Sequence, residues 1–389
     1  MATYDLDRTE LNHLLTPNID PASRAAVIDY LLNHGGFDDD DSGNSFDLFS
    51  RGGGHGGGHH GGGHQNDETV KVQISDGTDP LDPKAEVLNL TTETNTVTTD
   101  AALKVIVENV SGDADLTVHG THDVMVVTGG GDDLVTLKDS GDDVVLTGAG
   151  DDTVIGGSGQ DSIYGGAGDD SLHAGTGSHQ LLSGGDGSDT VIGGAGAWDS
   201  LSGGAGSDSL HAGSGDHQLL SGGSGDDTLV GGAGAWDSLT GGSGSDSLHA
   251  GSGDHQLLSG GDGNDTLYGG DGAYDTLIGG DGRDVLHAGD GAHQLVIGGS
   301  NNDTIYAGSG GDTLIGGGGN DVFHVGNDGN DTIDGGSGRD SVHFDDRAST
   351  DIDSIHTHGG QTIIQFTDGQ TVTVSHVENL VFTDTDKHI

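Results

Sequence analysis

The residues of this chain best placed to do chemistry are Asp133, Asp143, Asp152, Asp161, Asp170, Asp189, Asp208, Asp227, Asp246, Asp265, Asp284, Asp303, Asp312, Asp321, Asp331 and Asp340, each at one phase of a short glycine-rich phrase. The phrase reads Gly-Gly-x-Gly-x-Asp-x-aliphatic-x, and Gly156 to Tyr164 and Gly222 to Val230 are clean copies. Glycine at the first, second and fourth positions lets the backbone turn through conformations that a Cβ hinders, and it leaves carbonyl oxygens exposed. The aspartate adds a carboxylate. Stacked turns would surround a cation with oxygens from two neighbouring loops. A flexible shell of about six to eight oxygens suits calcium, whereas magnesium wants a tighter octahedron and keeps its waters.

For such turns to stack, the segments between them must repeat without slip. Asp170, Asp189, Asp208, Asp227, Asp246, Asp265, Asp284 and Asp303 recur every 19 residues, so a rung consists of one nine-residue and one ten-residue half-turn. Leu172, Val191, Leu210, Leu229, Leu248, Leu267, Leu286 and Ile305 keep the same phase and are expected to point inward from short strands. Parallel strands stack about 4.8 Å apart. The pattern predicts an all-β chain, a parallel β-roll or β-helix solenoid with calcium between its turns. One edge should carry an unbroken ladder of aspartates.

The other edge is longer by one residue per turn. Keeping Leu201 and Leu220 inward makes His179, Trp198, His217, Trp236, His255, Tyr274 and His293 the inserted residues, an alternation of imidazole and aromatic rings. The metal position beside them alternates Gln180, Asp199, Gln218, Asp237, Gln256, Asp275 and Gln294, which leaves Asp199, Asp237 and Asp275 as weaker calcium candidates. A third row, His173, Ile192, His211, Val230, His249, Tyr268, His287 and Tyr306, should face outward on the shorter half-turn. These rows follow passively from duplication of a 38-residue unit with rings stacking on one another, or they form an interaction face for a surface, a glycan or another copy. Transition-metal binding by His173 with His179 is a further reading. Equivalent histidines two rungs apart lie about 9.6 Å from each other, too far for one ion to bridge.

Composition agrees with a cation-dependent fold. Asp and Glu number 64 against 11 Lys and Arg, a formal charge of -53, which argues against nucleic acid or an anionic membrane as partner. With 79 glycines and 30% hydrophobic residues among 389, the core must be thin and periodic. Without a neutralising ion, acidic glycine-rich repeats should remain disordered. There is no cysteine, hence no disulfide framework. No apolar run approaches the ~20 residues of a membrane span, and Met1 to Asp7 has no basic or apolar leader character.

Five segments are expected. Residues 1–35 contain a short helix, with Asp20 as N-cap, Pro21 at the first turn, Ala25, Val27, Ile28, Leu31 and Leu32 mostly on one face, and Gly35 as its stop. Residues 36–67 form a Gly/His/Asp-rich linker in which His55, His59, His60 and His64 could bind zinc, nickel or copper loosely. Residues 68–127 form an N-terminal β-solenoid cap, with strands at Val70 to Ile74, Leu103 to Val107 and Val124 to Val127. The calcium roll occupies 128–343. Residues 344–389 form a C-terminal β cap, with a hairpin of Thr362 to Phe366 and Thr371 to Val374 around Asp368-Gly369, then Val377 to Phe382.

Over roughly residues 128 to 343 the chain resembles the repeats-in-toxin (RTX) β-roll family. The resemblance implies a bacterial protein exported by type I secretion with an uncleaved C-terminal signal, folding on calcium outside the cell. The catalytic signatures of relatives that are enzymes, HExxH and GxSxG, do not occur, so no activity carries over and the chain is expected not to be an enzyme. The expected function is a structural, self-assembling or adhesive one at the cell surface or outside it, as a matrix, surface-layer or fibre subunit. Sequestration of transition metals by histidine is one alternative. Ice binding is another, because Ser171, Thr190, Ser209, Thr228, Ser247, Thr266 and Thr304 form an outward hydroxyl row.

Overall fold

Ser171 pairs with Thr190, Thr190 with Ser209 and Ser209 with Thr228, all in parallel, so the 19-residue step of the sequence is the hydrogen-bonding step of the sheet. The structure, a computed structural model, describes residues 2–6, 11, 14–15, 19, 21–33, 70–75, 85, 87–99, 103–108 and 112–388. They fall into two compact units, Met1–Gly166 and Ala167–Ile389. Both units are parallel β-solenoid, and the described residues are all-β apart from short helical segments.

From Ser171 to Tyr306 the rungs of the second unit have a three-residue strand, such as Ser209–His211, and a six-residue strand, such as Leu219–Ser224; beyond them the strands lengthen to four and seven residues, as in Val322–Val325 and Thr313–Gly319. The two kinds of strand form separate parallel sheets. Leu172, Val191, Leu210, Leu229, Leu248, Leu267, Leu286 and Ile305 are fully buried, as are Leu182, Leu220, Leu258 and Val296 from the six-residue strands. One aliphatic side chain per half-turn forms the core, each contributing about 1.5–3 kcal/mol on burial. Along the six-residue strands the inward positions alternate with exposed or half-buried ones, and the second inward position is the first glycine of the phrase, as at Gly203, Gly222, Gly241 and Gly260.

The carboxy-terminal segment continues both sheets before closing them. Thr371–Ser375 pairs in parallel with Thr332–Gly338, and Asn379–Phe382 pairs in parallel with Ser341–Phe344. The expected hairpin is present, with Gln361–Phe366 antiparallel to Thr371–Ser375. Ile352–His358 adds a further antiparallel strand through the Gly359-Gly360 turn, where both φ values are positive. Phe344, Phe366 and Phe382 form the core of this cap, and the buried Arg347 guanidinium lies 4.1 Å over the Phe366 ring and 2.9 Å from Asp368. Asp386–His388 pairs antiparallel on Asn379–Phe382 and covers that edge, which would otherwise offer an open ladder of hydrogen bonds.

In the first unit, strands Val70–Ser75, Val87–Leu90, Val105–Glu108 and Met125–Val127 form the opening rungs, and Ala2–Leu6 lies antiparallel on the first of them. Helix α1, Pro21–Asn33, begins at the expected proline. Its Val27, Ile28 and Leu31 pack with Leu11, Leu15 and Ile19 against Val87, Val105, Val107, Met125 and Val127. Strands Val87–Leu90 and Val105–Glu108 are consequently buried on both faces. Ala25 is exposed and Ala26 takes its place on the buried face. Asp20, Gly35 and the tract containing His55, His59, His60 and His64 lie outside the described residues, as does the side chain of Leu32.

Candidate metal centre

On the nine-residue edge of the second unit every ladder aspartate is tied to the next by one oxygen. The Asp170 backbone N–H donates to Oδ1 of Asp189 at 2.8 Å, Asp189 to Asp208, Asp208 to Asp227, Asp227 to Asp246, and so on through Asp321 to Asp340. The second oxygen has a different fate. Oδ2 of Asp189, Asp208, Asp227, Asp246, Asp265, Asp284, Asp303, Asp321 and Asp340 is buried without a hydrogen-bond donor.

These oxygens converge on the first glycine of their own phrase. A Cβ on Gly222, Gly241, Gly260 or Gly279 would overlap Oδ2 of Asp227, Asp246, Asp265 or Asp284 respectively, and would also meet the carbonyl oxygen of the first glycine one rung on: Gly241, Gly260, Gly279 and Gly298. Glycine is required there by the approach of two oxygens. Carboxylate and carbonyl oxygens brought together with no donor between them form an oxygen-only cradle, which fits a hard cation such as calcium. At the last phrase the carbonyl comes from His376, beside Gly335 and Asp340.

Burial sets the electrostatics. Desolvation pushes the carboxyls of Asp189, Asp227, Asp265 and Asp321 up to about 6 and that of Asp303 to about 7, with neighbouring ladder carboxylates adding to the rise and backbone N–H donation opposing it. Each ionised carboxylate held in this burial therefore works against the folded state, and the effect repeats at every rung. A cation in the cradle removes that cost.

The ten-residue edge is built differently. His179, Trp198, His217, Trp236, His255, Tyr274 and His293 all have φ between 61° and 66°, the left-handed conformation, which is how each turn absorbs its extra residue while Leu201 and Leu220 stay buried. Their rings stack in one row, with Trp198 4.0 Å from His217 and Trp236 4.1 Å from His255, and Trp198, Trp236 and Tyr274 are about half exposed. Beside them, Gln218, Gln256 and Gln294 donate Nε2 to the carbonyls of Gly196, Gly234 and Gly272 at 2.8, 2.8 and 2.7 Å. Oε1 of Gln180, Gln218 and Gln256 accepts the N–H of Gly175, Gly213 and Gly251. A neutral amide answers the groups that a cation would otherwise meet. Asp237 and Asp275 keep a buried Oδ2 without a donor, whereas Oδ2 of Asp199 lies 3.5 Å from Nε2 of Gln218. Further along this edge Asp312 and Asp331 return to the aspartate pattern, Asp312 donating its N–H to Oδ1 of Asp331, with Oδ2 of both unanswered.

In the first unit Asp133 donates its N–H to Oδ1 of Asp152, and Asp143 to Oδ1 of Asp161. Asp139 was not legible as a site residue, because it stands where the phrase has its second glycine. Both its carboxylate oxygens are buried without a donor, as is Oδ2 of Asp143, and burial raises both carboxyls. Glu108, also missed, is buried beside Asn95 at 2.9 Å and raised to about 7, chiefly by desolvation. Glu378 was missed for another reason: it lies outside the repeats, yet its Oε2 accepts the N–H of Asp340 at 2.7 Å and ends the ladder.

The outward row is present as well. His249, Tyr268, His287, Tyr306 and His324 stack at 4.4 to 4.7 Å. The Ser171, Ser209 and Ser247 hydroxyls sit 3.3 Å from Nε2 of His173, His211 and His249, so the hydroxyl row is engaged by imidazoles.

A family model described as the RTX calcium-binding nonapeptide repeat, in four copies, matches residues 139–172, 174–197, 196–216, 221–254, 256–273, 274–292, 297–327 and 325–346. Comparison with curated proteins finds no match.

Proposed function

Because the chain belongs to the RTX calcium-binding nonapeptide-repeat family, we propose that it is a secreted protein whose fold is switched on by calcium outside the cell and which then serves a structural, self-assembling or adhesive role. The observation that carries the calcium switch is the repeated buried Oδ2 without a donor, from Asp189 to Asp340. Calcium, when bound, supplies the positive charge and oxygen coordination that this cradle lacks. The ladder aspartates Asp133, Asp143, Asp152, Asp161 and Asp170 through Asp303, with Asp312, Asp321, Asp331 and Asp340, would hold it together with first-glycine carbonyls. Asp237 and Asp275 would hold it more weakly, and Asp199 least.

The switch follows from concentration. Sites of the extracellular class bind at about 10⁻⁴ to 10⁻³ M, above the free calcium inside a cell, so the chain leaves unfolded and rolls up outside. Among the described residues no helix is long and apolar enough to cross a membrane. Circular dichroism at pH 7.5 with and without calcium tests the switch; a β spectrum that persists there in excess chelator overturns it.

The structural role is supported by the exposed ring row that includes Trp198, Trp236 and Tyr274, since contiguous apolar surface of this kind marks contact with another surface. Sedimentation in saturating calcium distinguishes assembly from a soluble monomer. The ice-binding reading is disfavoured by the histidine rings that engage Ser171, Ser209 and Ser247.

A further inference from the structure

We propose that His324, His343 and Asp345 form a transition-metal site, of the kind taken by zinc, cobalt or nickel, separate from the aspartate ladders. One ligand atom from each of the three lies within 4.8 Å of the other two, and Nδ1 of His324 is 2.9 Å from Oδ2 of Asp345. This is the place in the described outward row where the alternation stops. Histidines elsewhere along it face Ile, Val or Tyr on the next strand, as His287 faces Tyr306, but His324 pairs in register with His343. Equivalent side chains on neighbouring strands are about 4.8 Å apart, half the separation that rules out bridging between alternate rungs. Tetrahedral zinc, with bonds of about 2.0–2.1 Å, holds its donors about 3.3 Å apart, within reach of side-chain rotation here.

The ring geometry changes at the same point. Tyr306 and His324 are nearly parallel at 13°, as are the other pairs of the row, whereas His324 and His343 are inclined at 51°. The second imidazole is turned out of the stack at the position where the carboxylate arrives. Two imidazoles and one carboxylate suit zinc, cobalt or nickel; calcium prefers oxygen alone. Three protein donors leave a fourth position for water. The site would join strands Val322–Val325 and Ser341–Phe344 to Asp345, the residue that follows the second of them, as a clip at the end of the array.

The test uses the full chain in saturating calcium, with His55, His59, His60 and His64 replaced by alanine so that the linker does not contribute. Cobalt(II) titrated into this protein is expected to give one equivalent of tight binding, a visible ligand-field band and a raised melting temperature. His343→Gln and Asp345→Asn should each weaken binding by roughly 100-fold, since loss of even a ligand's hydrogen-bond partner costs about 10–100-fold. His287→Gln, in the same row between two tyrosines, should leave it unchanged. Absence of a stoichiometric site, or binding that survives His343→Gln and Asp345→Asn, overturns the proposal. If His343→Gln fails to gain its β spectrum with calcium, Asp345→Asn, at an exposed side chain, decides alone.

Discussion

Nε2 of Gln218 donates to the carbonyl oxygen of Gly196 at 2.8 Å, across a turn in which an aspartate rung would leave that oxygen for a cation. The glutamine is thus a built-in substitute for an ion. Gln218→Asp removes the donor while supplying the carboxylate that Asp199 and Asp237 carry on adjacent rungs. It is expected to raise the number of calcium ions bound in isothermal titration and, at limiting calcium, to lower stability by about 1–3 kcal/mol, the cost of an unanswered buried polar group. Unchanged stoichiometry would show that the amide does not stand in for calcium.

Gly241 and Gly318 make a matched pair for testing the cradle. A methyl on Gly241 overlaps Oδ2 of Asp246 and comes 2.7 Å from the Gly260 carbonyl, whereas one on Gly318 meets only the Ser337 hydroxyl at 3.5 Å. Gly241→Ala should cost about 1–3 kcal/mol through overpacking and shift the calcium midpoint of folding upward. Gly318→Ala should leave that midpoint in place. Equal midpoints for the two variants would count against the cradle.

The pH dependence has opposite signs with and without metal. The folded carboxyls of Asp227 and Asp303 sit at about 6 and about 7, above the ordinary 3.8, so the metal-free fold binds more protons than the unfolded chain in that interval. Its stability is greatest at the acid end and falls as pH rises through about 4 to 7. In chelator, β structure should therefore increase as pH drops from 7.5 to about 5, still above the chain's pI of 4.1. Calcium affinity should fall over the same drop, because protons and metal compete for the same oxygens. Circular dichroism in chelator and calcium titrations at both pH values check the two signs.

Replacing Trp198, Trp236 and Tyr274 together by glycine separates folding from contact. Each holds a left-handed φ that costs a side-chain-bearing residue about 1–2 kcal/mol, while ring stacking returns about 0.5–1.5 kcal/mol. These nearly cancel, so the triple variant should fold at the wild-type calcium concentration. Self-association measured by sedimentation should be lost. A variant that fails to fold would mean that the rings serve the roll itself.

The repeat was legible because one physical requirement, the register of parallel strands, is imposed on every rung. The step from Asp170 to Asp189 became the step from Ser171 to Thr190, and the excess residue at Trp198 was recognisable because Leu201 had to remain inward. Features met once carried no such signal. Asp139 occupies a glycine position and reads as a lapse in the pattern until its oxygens are seen buried. Ala2–Leu6 closes an edge by antiparallel pairing with Val70–Ser75, far away in sequence, which local sequence does not specify. The cluster of His324, His343 and Asp345 arises from a break in periodicity, and searching for regularity passes over it.

The aspartate ladder has a direction. From Asp170 to Asp340 each N–H is satisfied by the carboxylate of the rung that follows it in sequence, and Glu378 satisfies the last. A rung joining at the amino end finds its acceptor already in place; one joining at the carboxy end must bring an acceptor for its predecessor and arrives with its own donor unmet. The end of the array therefore has a requirement of its own: a chain cut short of Glu378 leaves the Asp340 N–H without its carboxylate acceptor, however many repeats it retains.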